Sequence, residues 1–251
     1  MLLEDKNAVI YGGGGAIGGA VARAFAREGA RVFLAGRTLA KLEEVAGEIR
    51  SEGGAADAAE VDALDERAVD EHADAVAAEA GGIDICFNLI SHGDVQGTPL
   101  AEMSLADFER PIVTAVRTMF LTSRAAARHM IRQNGGVVLV FGGSGEPLRD
   151  YYLGGLQVAF EALESMRRQL ASELGAHGVR VVTLRTGGVP ETIPAGVDGR
   201  GRIVGDIETM TMLGRAATLE DVGNVAAFVA SDRARTMTAA TANISCGALV
   251  D

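Results

Sequence analysis

The residues best suited to chemistry begin with glycines. Tyr11-Gly12-Gly13-Gly14-Gly15-Ala16-Ile17-Gly18-Gly19 follows a short apolar run and leads straight into a stretch with helical spacing of apolar residues. Within it, Gly13, Gly15 and Gly18 satisfy G-x-G-x-x-G. A glycine-rich turn of this kind, set between a strand and a helix, lets backbone amides approach a pyrophosphate while the helix N-terminus adds partial positive charge. The second apolar run ends in Ala35-Gly36-Arg37-Thr38. A carboxylate at this point would bind ribose hydroxyls, whereas glycine followed by arginine removes the repulsion and adds a guanidinium able to pair with a 2′-phosphate. The expected dinucleotide is therefore NADP in preference to NAD.

Other candidates follow later runs. His92 and Asp94 come just after the fourth, and an imidazole there can act as general acid or base near neutral pH. Arg185 closes the sixth, at the strand end where open α/β sheets place their ligands, and suits an anionic substrate or a developing negative charge.

The elements that must position these residues are legible as an alternation. Short apolar runs at 7–11, 31–35, 55–61, 83–89, 136–141, 179–184 and 242–244 read as strands. Between them, 17–28, 40–52, 66–80, 105–134, 154–177 and 219–231 carry helical periodicity. Strands alternating with helices predict a doubly wound α/β domain of Rossmann type, with seven parallel strands in one sheet flanked by helices. No linker or repeat interrupts the rhythm, so 1–251 reads as a single domain. The least regular stretch, 192–213, reads as a mobile loop over the site.

Composition narrows the partners. The net charge of −11 argues against nucleic acid and anionic membrane surfaces, leaving a small molecule as the expected ligand. Cys86 and Cys246 are far apart and lack metal-ligand spacing, so neither a disulfide framework nor a metal site is expected, and a reducing cytoplasm fits. Residues 1–9 carry charges where a signal peptide needs an apolar stretch.

The chain resembles the short-chain dehydrogenase/reductase family. Gly12 and Gly18 also fit that family's T-G-x-x-x-G-x-G turn, with Tyr11 in place of Thr and Ala16 in place of the middle glycine. Asp62-Ala63 resembles the Asp-Val pair bordering the adenine, Asn88 the first Asn of N-N-A-G, and 241–248 the final strand and tail. The resemblance implies a cofactor set of Gly12, Gly14, Gly15, Ile17, Gly18, Arg37, Asp62, Ala63, Asn88, Thr186 and Val189. It also implies a homodimer or homotetramer built on the helices at 105–134 and 154–177.

The family's Asn-Ser-Tyr-Lys tetrad is a different matter. With Leu170-Ala171-Ser172-Glu173-Leu174 fixing the register, Ala115 stands at the Asn position, Gly142 or Gly143 at Ser, Leu156 at Tyr and Phe160 at Lys. The only lysines are Lys6 and Lys41, neither of which follows a tyrosine by four residues, so no shift of register restores the motif. Leu156, Phe160, Leu163, Arg167, Leu170 and Leu174 instead form a stripe at helical spacing. Substitutes lie nearby. Tyr152, one turn before Leu156, is a candidate proton donor, Ser144 a candidate for orienting a substrate oxygen, and Arg149 or Arg185 could stabilise a phenolate. Together with His92 they make up the candidate catalytic set. Three functions remain open at this point: NADP-dependent hydride transfer to or from a small carbonyl or alcohol with a non-standard proton donor, a redox-neutral dehydratase, isomerase or cyclase, and a non-catalytic nucleotide-binding protein.

Overall fold

Strands of a parallel sheet covered on both faces must be apolar at successive positions, and the first run meets that demand in a computed structural model that describes residues 1–143 and 151–250. In strand β1 (Asn7–Tyr11), Ile10 enters the core on one face of the sheet while Val9 and Tyr11 enter the core on the other. The same division recurs in β2 (Arg31–Gly36), where Val32 and Leu34 oppose Phe33 and Ala35, and in β5 (Gly136–Gly142), where Val137 and Leu139 oppose Val138 and Val140. With β3 (Ala55–Glu60), β4 (Ile85–Asn88), β6 (Val179–Arg185) and β7 (Ala240–Asn243) these form one seven-stranded parallel sheet in the order β3-β2-β1-β4-β5-β6-β7. The chain winds outward from β1 to β3 and then returns to place β4 beside β1. That reversal opens a crevice above the C-terminal ends of β1 and β4, the place where open α/β sheets hold their ligands.

Helices α1 (Ala16–Arg27), α2 (Leu39–Ser51) and α7 (Leu219–Ala230) cover one face through Val21, Phe25, Leu42, Ile49, Val222 and Ala226. The other face is covered by α3 (Glu66–Ala80), α4 (Leu105–Gln133) and α5 (Gly155–Leu174) through Val69, Val76, Met119, Met130, Leu163 and Leu174. Asp65 caps α3 by accepting from the amides of Arg67 and Ala68, and Thr218 and Asp221 form a capping box on α7. A single 3₁₀ turn continues α5 through His177 before Gly178 reverses the chain.

The stretch 192–213 departs from its reading as a loop. It contains a helix, α6 (Arg200–Thr209), in which only Ile207 is buried, so it has no apolar stripe to announce it. The strand read at 242–244 runs from Ala240 to Asn243, because Ala239 turns with a positive φ of 51° and gives its amide to the Val181 carbonyl.

Tyr11, at the end of β1, belongs to the core. Its hydroxyl lies 3.3 Å from Nδ1 of His72 on α3, and the two rings meet edge to face at 5.6 Å. Burial pushes the phenol well above its ordinary range and brings His72 down to about 4. His72 is thus neutral in the native protein and takes up a proton more readily when unfolded, so stability is full above 6.5 and falls as the pH drops toward 4. The loss should reach about 2–3 kcal/mol over that interval. Urea midpoints measured from pH 7.5 to 4 are expected to show this acid limb in the wild type and a flatter profile in His72→Gln. A variant profile as steep as the wild type would assign the acid lability elsewhere.

Candidate functional site

The crevice is floored by the glycine turn between β1 and α1. Gly12 adopts φ +85°, a left-handed conformation that glycine takes without strain, and its amide donates to the Ala35 carbonyl at 2.7 Å. A Cβ on Gly12 would strike the carbonyl of Leu89, and one on Gly18 would strike the carbonyl of Gly12. Gly14 sits against Lys41, where a Cβ would lie 3.0 Å from that side chain. Gly15 is the N-cap of α1, no side chain caps that helix end, and no acid stands in its first turn. Its amides and partial positive charge are therefore directed at the crevice, which is the arrangement a pyrophosphate requires. Ala16 is exposed at the first helical position, and Ile17 packs into the core below.

Around this turn the sheet gathers the other residues expected to touch a nucleotide. Tyr11 pairs in register with Ala35 on one side and with Asn88 on the other, so the ends of β2 and β4 flank the glycines. Arg37 is exposed just beyond β2, with no hydrogen-bond or ion-pair partner among the described residues. Asp62, after β3, is exposed and accepts the amide of Leu64 at 3.0 Å, while Ala63 beside it is buried. The side chain of Asn88 is committed to the fold: its amide donates to Thr118 Oγ1 at 2.9 Å and its oxygen accepts from the Ile90 amide at 3.0 Å. Thr186 and Val189 follow β6 and are buried, with the Thr186 amide 3.4 Å from the Gly142 carbonyl.

At the other end of the crevice, polar groups give way to apolar ones. Ala115, on α4, is buried in the core. The Phe160 ring, one turn beyond Leu156 on α5, lies so close over Gly143 that a Cβ there would meet Cε2 at 2.5 Å. His92 meets that same ring edge to face, with centroids 6.1 Å apart. Burial lowers the imidazole below its ordinary 6.5, partly offset by Asp94 two residues on. The structure thus brings His92 beside Phe160, the residue at the position read as that of Lys, a proximity invisible in the sequence.

The remaining candidates are more dispersed. Tyr152 is exposed on a residue with φ 46°, and its carbonyl accepts the Gly97 amide at 3.2 Å, tying the approach to α5 to the segment after β4. Arg185 is half-buried at the end of β6, level with Gly142 on one side and Asn243 on the other. Ser144 and Arg149 lie outside the described residues. One contact had no signal in the sequence: the Tyr151 hydroxyl donates to Asp206 on α6 at 3.1 Å and joins that helix to the start of α5.

Comparison with known proteins places this geometry among relatives. Residues 14–248 match a family model described as enoyl-(acyl carrier protein) reductase. D-threitol dehydrogenase of Mycolicibacterium smegmatis is 30% identical over 235 residues, covering 92% of this chain and 88% of that protein. Meso-2,3-butanediol dehydrogenase of Serratia marcescens is 30% identical over 259 residues, covering 99% and 96%. The solved structure of a short-chain type dehydrogenase/reductase from Mycobacterium ulcerans superposes with a TM-score of 0.91 at 27% identity, covering 99% of this chain and 91% of that one.

Because Gly18 is pressed on the Gly12 carbonyl, Gly18→Ala must open the turn. The variant is expected to lose dinucleotide affinity at least tenfold by titration calorimetry, about the worth of one charge-assisted contact, whereas Gly47→Ala, on an open surface of α2, should bind as the wild type does. Equal affinity in the two variants would remove the turn from the binding site.

Proposed function

The chain belongs to the short-chain dehydrogenase/reductase family, and from that premise we propose that it transfers hydride between NADP(H) and a small secondary alcohol or its ketone, with His92 handling the proton. The observation that carries this reading is the seating of His92 against Phe160, which puts a titratable group beside the β5 end of the crevice. The names of the relatives, which include dehydrogenases of a tetritol and of a vicinal diol, support the alcohol class. The family uses nicotinamide cofactors, and when bound the nicotinamide supplies the hydride acceptor or donor. The glycine turn and the N-terminus of α1 would hold the pyrophosphate, and Arg37 the 2′-phosphate.

In the oxidative direction, His92 takes the hydroxyl proton as the carbinol C–H bond breaks and its electron pair leaves as hydride. A neutral imidazole is required for this, and burial keeps His92 neutral at physiological pH. Arg185 faces the same sheet edge and serves to orient the substrate oxygen. Tyr152 is the alternative proton donor in the set, and Ser144 a further candidate for orienting the substrate oxygen. The chain is a single domain in this reading, and exposed Val113 and Phe120 on α4 with Val158 on α5 fit self-association as a homodimer or homotetramer. A second reading, nucleotide binding without catalysis, is favoured by the apolar Leu156 and Phe160 in the working positions of α5.

Two measurements test the proposal. With a panel of secondary alcohols, kcat/KM is expected to rise with an inflection below pH 6.5 and then stay level, because the base is active once His92 is deprotonated. His92→Gln should lower it by about a hundredfold or more. A rate kept in His92→Gln and abolished in Tyr152→Phe would transfer the role to the phenol, and no turnover across the panel despite tight NADP binding would favour the second reading. For the cofactor, Arg37→Ala is expected to weaken NADP about ten- to a hundredfold while leaving NAD nearly unchanged. Gly36→Asp, whose Cβ meets only Leu42 at 3.6 Å, should reverse the preference. Equal losses for the two dinucleotides in Arg37→Ala would refute the phosphate clamp.

A further inference from the structure

We infer that Phe160 is the positioning residue for His92, seated on the bare backbone of Gly143, so that Gly143, Phe160 and His92 act as one lock at the end of β5. The inference rests on His92 being the proton handler proposed above.

Three observations carry it. A Cβ placed on Gly143 would meet three neighbouring atoms of one ring, Cε2 at 2.5 Å with Cδ2 and Cζ at 3.0 Å. The glycine is therefore the counterpart of the ring, and any side chain there must push it aside. The ring in turn cannot retreat easily, because α5 is anchored on both sides of it. Ala159 and Leu163 are buried, and Gly155 is pressed against the Phe108 carbonyl of α4 so closely that a Cβ would not fit. Finally, the aromatic contact of His92 is with this ring, at 6.1 Å and 66° between planes, an edge-to-face geometry that fixes the orientation of the imidazole.

The segment that carries His92 is held at its backbone. The Gly93 carbonyl accepts from Arg110 of α4 at 3.5 Å, and the Gly97 amide donates to the Tyr152 carbonyl. The backbone is thus set by α4 and by the approach to α5, and the imidazole by Phe160. Among the described residues, the charged groups near His92 are Asp94 on its own segment, which hydrogen-bonds Gln96 at 2.7 Å, and Arg110 from α4, which pairs with Asp107 at 2.8 Å. From α5 the facing group is the apolar ring itself. A ring that both orients the imidazole and keeps water from it gives a neutral base held ready for the substrate hydroxyl.

The test compares four variants of the full-length protein. Phe160→Leu keeps apolar volume but loses the ring, and Gly143→Ala keeps the ring but displaces it. Both are expected to move the NMR titration of the His92 imidazole upward toward 6.5 and to lower kcat by about tenfold with KM nearly unchanged. Phe160→Tyr, which keeps the ring, should retain the wild-type titration and kcat. The double variant Gly143→Ala with Phe160→Leu should lose no more than Phe160→Leu alone, because the added methyl then has no ring to displace. A His92 titration that stays in place in folded Phe160→Leu, or losses that simply add in the double variant, would overturn the lock while leaving His92 as the base. Full activity in His92→Gln would instead bring down the parent reading, and the lock with it.

Discussion

The carbonyl of Gly12 is the point on which the molecule turns. It faces Gly18 at a separation that leaves no room for a side chain, and Gly12 itself lies against the Leu89 carbonyl at the end of β4. Strand β1, helix α1 and strand β4 therefore meet through backbone alone. This close approach fixes the angle at which α1 leaves the sheet and directs its uncapped N-terminus at the crevice. It also determines what the neighbours must be. The residue before the turn ends a strand buried on both faces, so a tyrosine there goes into the core, and the polar end of that tyrosine needs a partner. His72 supplies one at the cost of a histidine held neutral in the interior.

Two halves of the crevice follow opposite chemistry. Around the glycine turn stand helix amides without a side-chain cap and an exposed guanidinium at Arg37, with Asp62 exposed nearby and accepting the Leu64 amide. An anionic ligand part of fixed shape would satisfy the amides and the guanidinium. At the β5 end, groups are spent on one another or are apolar. Asn88 is satisfied by Thr118 and Ile90, Thr183 donates to Glu164, and Glu164 pairs with buried Arg167 at 2.8 Å. On α5, Leu156 and Phe160 are apolar and half-buried. In the proposed reading, binding of the phosphate-bearing half and chemistry at the reacting half are thus separable, and each depends on a different set of residues.

The fold was largely legible because a doubly covered parallel sheet writes itself as short apolar runs, and each of the seven runs corresponds to a strand. Helix α6 was not, since with Ile207 as its single buried side chain it has no stripe and its glycines resemble a loop. The glycine turn and Arg37 stand out in the sequence because the residues expected to act together there are adjacent. Asn88 was read as a cofactor contact, yet its side chain is satisfied within the fold, and nothing local in the sequence names Thr118 as its partner. The contact of His92 with Phe160 and the fit of Phe160 over Gly143 join three separate elements, so only the tertiary structure reveals them.

That non-local contact changes what the substitutions on α5 mean. Taken singly, Phe160 at the position read as Lys and glycine at the position read as Ser, Gly142 or Gly143, are separate departures from the family's motif. Phe160 and Gly143 are nevertheless one packing unit, because the ring fills the volume that a side chain at 143 would need. A buried ammonium would itself require a partner in this apolar wall, at a cost of several kcal/mol if unpaired, whereas an aromatic ring on a glycine is stabilised by its burial. The packing thus selects against a partial return to polar chemistry. A proton carrier that approaches from the β4 side, the role proposed for His92, is compatible with that wall without breaching it.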